Sequence, residues 1–188
     1  MGMPDAVRHW TREEVLALPD DGNRYELIDG ELLVSPLPRA LHQRSVVALY
    51  DRVGPYVRRH RLGVTGLAPA DLDLQSCQAV QPDLFVVSLR ADGRAPMEWP
   101  EFGVPILVAE VLSPSTARHD RITKRRRYQR SGVGQYWIVD VDARVFERWC
   151  PEDDRPEIVA DRIAWSPPEA PEPLVIDLVE YFREVWNE

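Results

Sequence analysis

The hydrophobic pattern of the chain changes period several times, and each change predicts an element. Trp10–Leu18 reads as a short helix in which Thr11 is placed to cap and Glu14, three residues on, to reach back to it. β-rich arms follow from Arg24 to Ser35, joined by Asp29-Gly30, a pair suited to the positive φ angles of a two-residue turn. Pro36 and Pro38 end that hairpin. From about Arg39 to His60, the spacing of Leu41, Val46, Leu49, Val53, Tyr56 and Val57 predicts an amphipathic helix, with a kink or break at Pro55. Short strands are predicted over 64–67 and 71–74, firmer ones over 83–88 and 104–112, with a Pro- and Gly-bearing loop over 90–103. A helix over 117–131 stops at Gly132, and strands follow at 135–140, 144–149 and 162–165. Residues 174–186 finish as a short strand or helix. The order predicts a mixed α+β fold, a sheet flanked by helices, in one domain spanning 1–188.

Composition narrows the class. At 188 residues, 44% apolar and 29% charged, the chain suits a single hydrophobic core. No apolar run has the roughly 18 residues a membrane span needs, and Met1–Asp5 lacks the basic-then-apolar order of a secretory signal. Cys77 and Cys150 have no metal-type spacing and are expected to be reduced thiols in a cytoplasmic protein. The four histidines (His9, His42, His60, His119) form no HxH or HExxH pair, which argues against zinc. A net charge of −8 argues against a uniformly basic surface. The charge is uneven, however, with seven Lys and Arg within Arg118–Arg130.

Two carboxylates interrupt otherwise apolar strands. Asp83 begins Asp83–Ser88, on the side of Phe85 and Val87, and Glu110 shares the side of Ile106, Val108 and Leu112. A buried ionised carboxylate requires compensation. An ion pair with a Lys or Arg would supply it, and so would a divalent cation held by both acids. In the second case Mg²⁺, with Mn²⁺ as a substitute, suits the hard oxygen ligands, and the Val111 carbonyl could join them. Asp120, Lys124 and Tyr128 lie at i, i+4, i+8 on the next helix, which has Ile122 as its one aliphatic residue between Asp120 and Arg130. Such a helix lies in solvent with an Asp120–Lys124 surface pair, or turns this stripe toward a site. In the docked case Lys124 reaches the carboxylates, and Arg121, Arg125 and Arg127 face solvent or a nucleic-acid backbone. Glu26 and His42, taken alone, read as a cross-strand partner and a structural or exposed helix residue.

The ordered series Tyr25–Leu32, Ser35-Pro36, His42, Pro82-Asp83-Leu84, Glu110–Thr116, Asp120, Lys124, Tyr128, Gly132-Val133 and Tyr136–Asp140 resembles the Uma-type restriction endonuclease family, within the PD-(D/E)xK nuclease superfamily. The resemblance covers roughly residues 10–185. It implies a restriction-endonuclease-like core with an N-terminal β-hairpin, Mg²⁺ at Asp83 and Glu110, and endonucleolytic hydrolysis of DNA. The superfamily's lysine two residues after the acid is Leu112 here, and the resemblance assigns its place to Lys124. It also implies Glu26 as a further metal or water ligand and His42 as a supporting residue. A homodimer would suit double-strand cleavage. A noncatalytic nuclease-fold module for assembly or nucleic-acid binding is the competing expectation, and a nucleotide or RNA substrate a third.

Overall fold

The computed structural model describes residues 8–72, 74, 80–98 and 101–188. Expectations at Met1–Asp5, at Cys77 and at parts of segments 71–74 and 90–103 therefore lie outside the described residues.

Its centre is a six-stranded sheet in the order β3 (Gly63–Leu67), β4 (Leu84–Ser88), β5 (Leu107–Val111), β6 (Tyr136–Asp140), β7 (Val145–Trp149), β8 (Glu157–Val159). Only β5 and β6 run parallel, because the helical segment between them carries the chain back across the sheet. The expected mixed α+β fold is what the chain adopts. The hairpin β1 (Arg24–Ile28) and β2 (Glu31–Ser35) forms a separate sheet, turning where Asp29 and Gly30 both take positive φ, 52° and 82°. The pair β9 (Arg162–Trp165) and β10 (Leu174–Asp177) makes another. The tail read as strand or helix is both: β10 runs directly into α5 (Leu178–Trp186).

Alternation along the strands separates two cores. Leu84, Val86, Leu107, Ala109, Trp137 and Val139 face α2 (Ala40–Arg59) and α5. Phe85, Val87, Val108, Tyr136 and Ile138 face the opposite way, toward Ile28 and Leu33 of the hairpin and Tyr128. α1 (Arg12–Leu16) has the expected reciprocal cap between Thr11 and Glu14, and packs beside the hairpin.

Two local expectations need correction. Pro55 does not interrupt α2, which continues to Arg59. The proline and Asp51, whose carbonyl loses its helical donor, both lie on the exposed side, where water can satisfy the freed group. The helix over 117–131 is not uniform either. It comprises α3 (Ala117–His119), a π-turn over Asp120–Lys124, and α4 (Arg125–Arg130). A wider turn rotates less per residue, offsetting the drift of an i, i+4, i+8 row in a regular α-helix. It keeps Asp120, Lys124 and Tyr128 on one buried line. The helix ends where Gly132, at φ 76°, lets Val133 and Gly132 donate to the carbonyls of Tyr128 and Gln129.

Ile28 has no solvent exposure and joins the hairpin to the second core. Ile28→Ala should cost about 2–5 kcal/mol in urea unfolding. A loss below about 1 kcal/mol would mean that the hairpin is not held by this contact.

Candidate active site

The sheet register brings the two strand carboxylates together. Leu84 pairs with Ala109, so Asp83 and Glu110, one residue further along each strand, stand opposite one another on the face of Phe85 and Val108. The amides of Val108 and Leu112 donate to the carbonyls of Gln135, just before β6, and of Val139 within it, which turns the intervening Val111 N–H toward the β4 side. There it donates to Asp83 Oδ2 at 2.9 Å, and the Val111 carbonyl shares that side of the strand.

The hairpin supplies the next layer. Arg24 and Glu26 alternate with Tyr25 and so share a face of β1. Arg24 Nη1 donates to Asp83 Oδ1 at 2.9 Å and to the Gln81 carbonyl at 3.2 Å, while its Nε lies 3.8 Å from Glu26 Oε2. Glu26 Oε1 accepts the Gln81 N–H at 2.8 Å. From α2, His42 Nε2 lies 3.0 Å from Asp83 Oδ2.

Lys124 enters from the π-turn. Its ammonium lies 2.9 Å from both Glu26 and Glu110 and 3.5 Å from Asp120. Tyr128 donates to the same Glu110 oxygen at 2.9 Å, and Tyr136 donates to the Asp120 carbonyl at 3.1 Å. The structure thus gathers Glu26, His42, Asp83, Glu110, Asp120, Lys124 and Tyr128 into one cluster. A cavity of about 790 Å³ reaches it, lined at this end by Arg24, His42 and Asp83. Glu26, Glu110 and Lys124 do not line that cavity; each is only 1% exposed.

Comparison with known proteins places the chain in a family. Residues 12–180 match Uma2, described as "putative restriction endonuclease". The chain belongs to the Uma2 family. A solved structure with the same fold is a "putative nuclease belonging to DUF820" from Anabaena variabilis. The two share 19% identity at a TM-score of 0.76, over 94% of this chain and 99% of that one. No curated protein matches the chain by sequence. Within the Uma2 fold, Leu112 is half-buried at the end of β5, and the lysine beside Glu110 comes from the helix instead.

The arginines expected to face solvent or a nucleic-acid backbone are partly exposed and already hold partners within the chain. Arg121 bonds Glu147 and Asp140, at 2.6 and 2.8 Å. Arg125 lies over the Trp149 ring and donates to Gln129. Arg127 donates to the Leu74 carbonyl and lies near Asp29. Acidic residues of β6, β7 and the hairpin turn neutralise two of these charges, which local charge density could not reveal. Arg24, by contrast, was not anticipated. Its signal was the i, i+2 relation to Glu26 at the start of β1.

Burial and charge act differently on each member. Burial alone would raise Asp83, but His42, Arg24 and Lys124 outweigh it and hold the carboxyl well below its ordinary range. Burial also raises Glu110; Lys124 opposes this, yet Asp83, Asp120 and Glu26 add to it and push Glu110 up to about 8. Asp120 is raised too, mainly by burial. Lys124, which burial would lower, is held well above its ordinary value by Glu110, Glu26 and Asp120. A raised ammonium and a raised carboxyl coexist because one cation cannot balance three acids. Of these acids, Glu110 is the one on which burial and three neighbouring carboxylates act together against the charged form.

This donor set fits a hard divalent cation. Four carboxylates face Lys124 and Arg24, an excess of two negative charges when His42 is neutral. Glu26 Oε2 and Asp120 Oδ1 are buried with no hydrogen-bond donor of good geometry. Among the described residues, no three His, Cys, Asp or Glu side chains stand ready as a complete metal cage. Mg²⁺ does not require one, since it is bound by one or two carboxylates and keeps several waters.

The Glu110 shift has a pH consequence. Its folded value near 8 lies above its ordinary 4.5, so its stabilising contribution is full below 4.5 and is lost as pH rises through 8. The chelator-treated protein should therefore melt lower at pH 9 than at pH 6, and Mg²⁺ should restore more at pH 9, where less proton must be displaced. Melting scans at both pH values check this; equal Mg²⁺ effects would contradict it.

Proposed function

We propose that the protein is a Mg²⁺-dependent endonuclease that hydrolyses phosphodiester bonds in DNA. The observation that carries this reading is the convergence of Glu110 and the Val111 peptide on Asp83, which lines the end of the cavity, with a lysine on Glu110. Asp83, Glu110 and the Val111 carbonyl would hold the cation. When bound, it would polarise the scissile phosphate and lower the pKa of the attacking water.

The protein's own groups have separable tasks. Tyr128 and Lys124 both engage one oxygen of Glu110, at 2.9 Å each, and fix the direction of the other. His42 and the Val111 N–H hold Asp83 Oδ2, leaving Oδ1 as the oxygen that Arg24 occupies. For Asp83 to use that oxygen, Arg24 must turn away, and the cavity offers its guanidinium a place beside the substrate phosphate. Lys124, which does not line the cavity, would act by keeping Glu26 and Glu110 and giving up its longest contact, to Asp120 at 3.5 Å, for a substrate oxygen or the attacking water once Arg24 has turned away.

A second reading has its own observation. Lys124 is 1% exposed and surrounded by acids, as a purely structural ammonium would be. A noncatalytic nuclease-fold module would keep such a cluster for rigidity. The two readings separate on a labelled DNA panel containing both a single-stranded oligonucleotide and plasmid, with Mg²⁺ or Mn²⁺. Asp83→Asn and Lys124→Gln, each checked for intact folding by circular dichroism, should lower cleavage about 100-fold or more. Binding without cleavage by the wild type under both metals would favour the module.

Arg24 gives an independent test. If it competes with the cation for Asp83, Arg24→Gln should tighten Mn²⁺ binding without DNA by about tenfold, the equivalent of ~1.4 kcal/mol. The same variant should cut more slowly. Unchanged or weaker Mn²⁺ binding, read by Mn²⁺ electron paramagnetic resonance, would contradict the competition.

A further inference from the structure

The cavity in front of Asp83 is built unlike a duplex-binding cleft. Its lining comes from α1, the hairpin, the start of α2, the segments before β4 and the turn after β5, so it is walled on several sides. Its volume, about 790 Å³, lies within the roughly 300–1,000 Å³ of pockets that enclose small ligands. Duplex DNA is instead held along a broad tract of cationic groups that neutralise successive phosphates. Here the lining carries Arg24, Arg39 and His42 against Asp20, Asp71 and Asp83, so no basic tract exists in it. The basic helix does not contribute to this lining, and its Arg121, Arg125 and Arg127 bond to other groups of the fold.

The lip has a different chemistry from the floor. Leu16 and Leu37 both line the cavity and are 60% and 76% exposed. Tyr25 adds a ring to the same lining. Arg39 is exposed beside Leu37, whereas Arg24 lies at the floor on Asp83. A lining that combines exposed apolar side chains and an aromatic ring with Arg24 and Arg39 matches an unpaired strand, whose bases present flat faces and whose backbone presents phosphates. A paired base hides those faces in its own stack.

We infer that the cavity takes an unpaired nucleic-acid strand, with bases against the Leu16–Tyr25–Leu37 wall and a phosphate beside Arg24 and Asp83. This rests on the nuclease reading for what happens to the strand, but not for its binding. Two measurements on the full chain keep the two apart. In the first, Mg²⁺- or Mn²⁺-dependent cleavage is compared on a single-stranded oligonucleotide, a duplex with a single-stranded flap, and a relaxed covalently closed circle. Cleavage of the first two at least tenfold faster than of the circle is expected. Equal cleavage of the circle overturns this inference while the nuclease reading stands.

The second measurement is fluorescence anisotropy with a labelled ten-nucleotide strand, as DNA and as RNA, and a blunt hairpin duplex. With Ca²⁺ in place of Mg²⁺, the unpaired strand should bind at least tenfold tighter than the duplex, and the DNA and RNA arms tell which sugar is preferred. Leu37→Glu, at an exposed position where folding is not at stake, should weaken the strand at least fivefold. Equal strand and duplex affinities overturn the inference, even if no substrate is cut. So does a Leu37→Glu variant that binds normally but changes from dimer to monomer in sedimentation, because the lip would then belong to a second copy of the chain.

Discussion

One buried ammonium organises the functional half of this protein. Lys124 reaches Glu26 of the hairpin, Glu110 of the central sheet and Asp120 of its own helical segment, and so ties three elements at a single point. An ammonium in that position is stable only while its acids surround it, and acids so deeply buried tolerate their charge only in its presence. The hairpin, β5 and the helix therefore cannot be rearranged independently. The π-turn serves this demand by keeping Asp120, Lys124 and Tyr128 in line.

The same constraint leaves a charge imbalance. Lys124 and Arg24 do not match four carboxylates, and burial prevents water from screening the excess. Burial and this surplus together disfavour the charged form of Glu110 and push it up to about 8. A site with surplus buried negative charge is one that would favour a divalent cation. In the proposed reading, Arg24 stands between cavity and buried acids, so metal entry and phosphate contact become one rearrangement. Membership of the Uma2 family supports a nuclease-like role, and the Anabaena protein shares the fold.

Much of this was legible in the sequence because local chemistry and global packing agree. Asp29-Gly30 specified the hairpin turn, the Thr11–Glu14 cap specified α1, and the apolar run ending at Glu110 specified a central strand. Strand alternation put Asp83 and Glu110 on chosen faces, although only the antiparallel register made those faces the same. The helix stripe was visible for an inverse reason: it lacked apolar residues, so its inward side had to be polar. What could not be read depended on distant partners. The arginines of the basic run find Asp140, Glu147 and Trp149 across the fold, and Arg24 finds Asp83 across 59 positions. No window of the sequence contains those pairs.

The central claim is that Asp83 and Glu110 share a divalent cation that displaces Arg24. A crystal structure of the wild-type protein grown with Mn²⁺, with anomalous data, tests it most directly. The account predicts a manganese peak between the two carboxylates and the Val111 carbonyl, with the Arg24 guanidinium turned into the cavity. Full-occupancy Arg24 on Asp83 Oδ1 at saturating Mn²⁺, with no peak at the cluster, would contradict it.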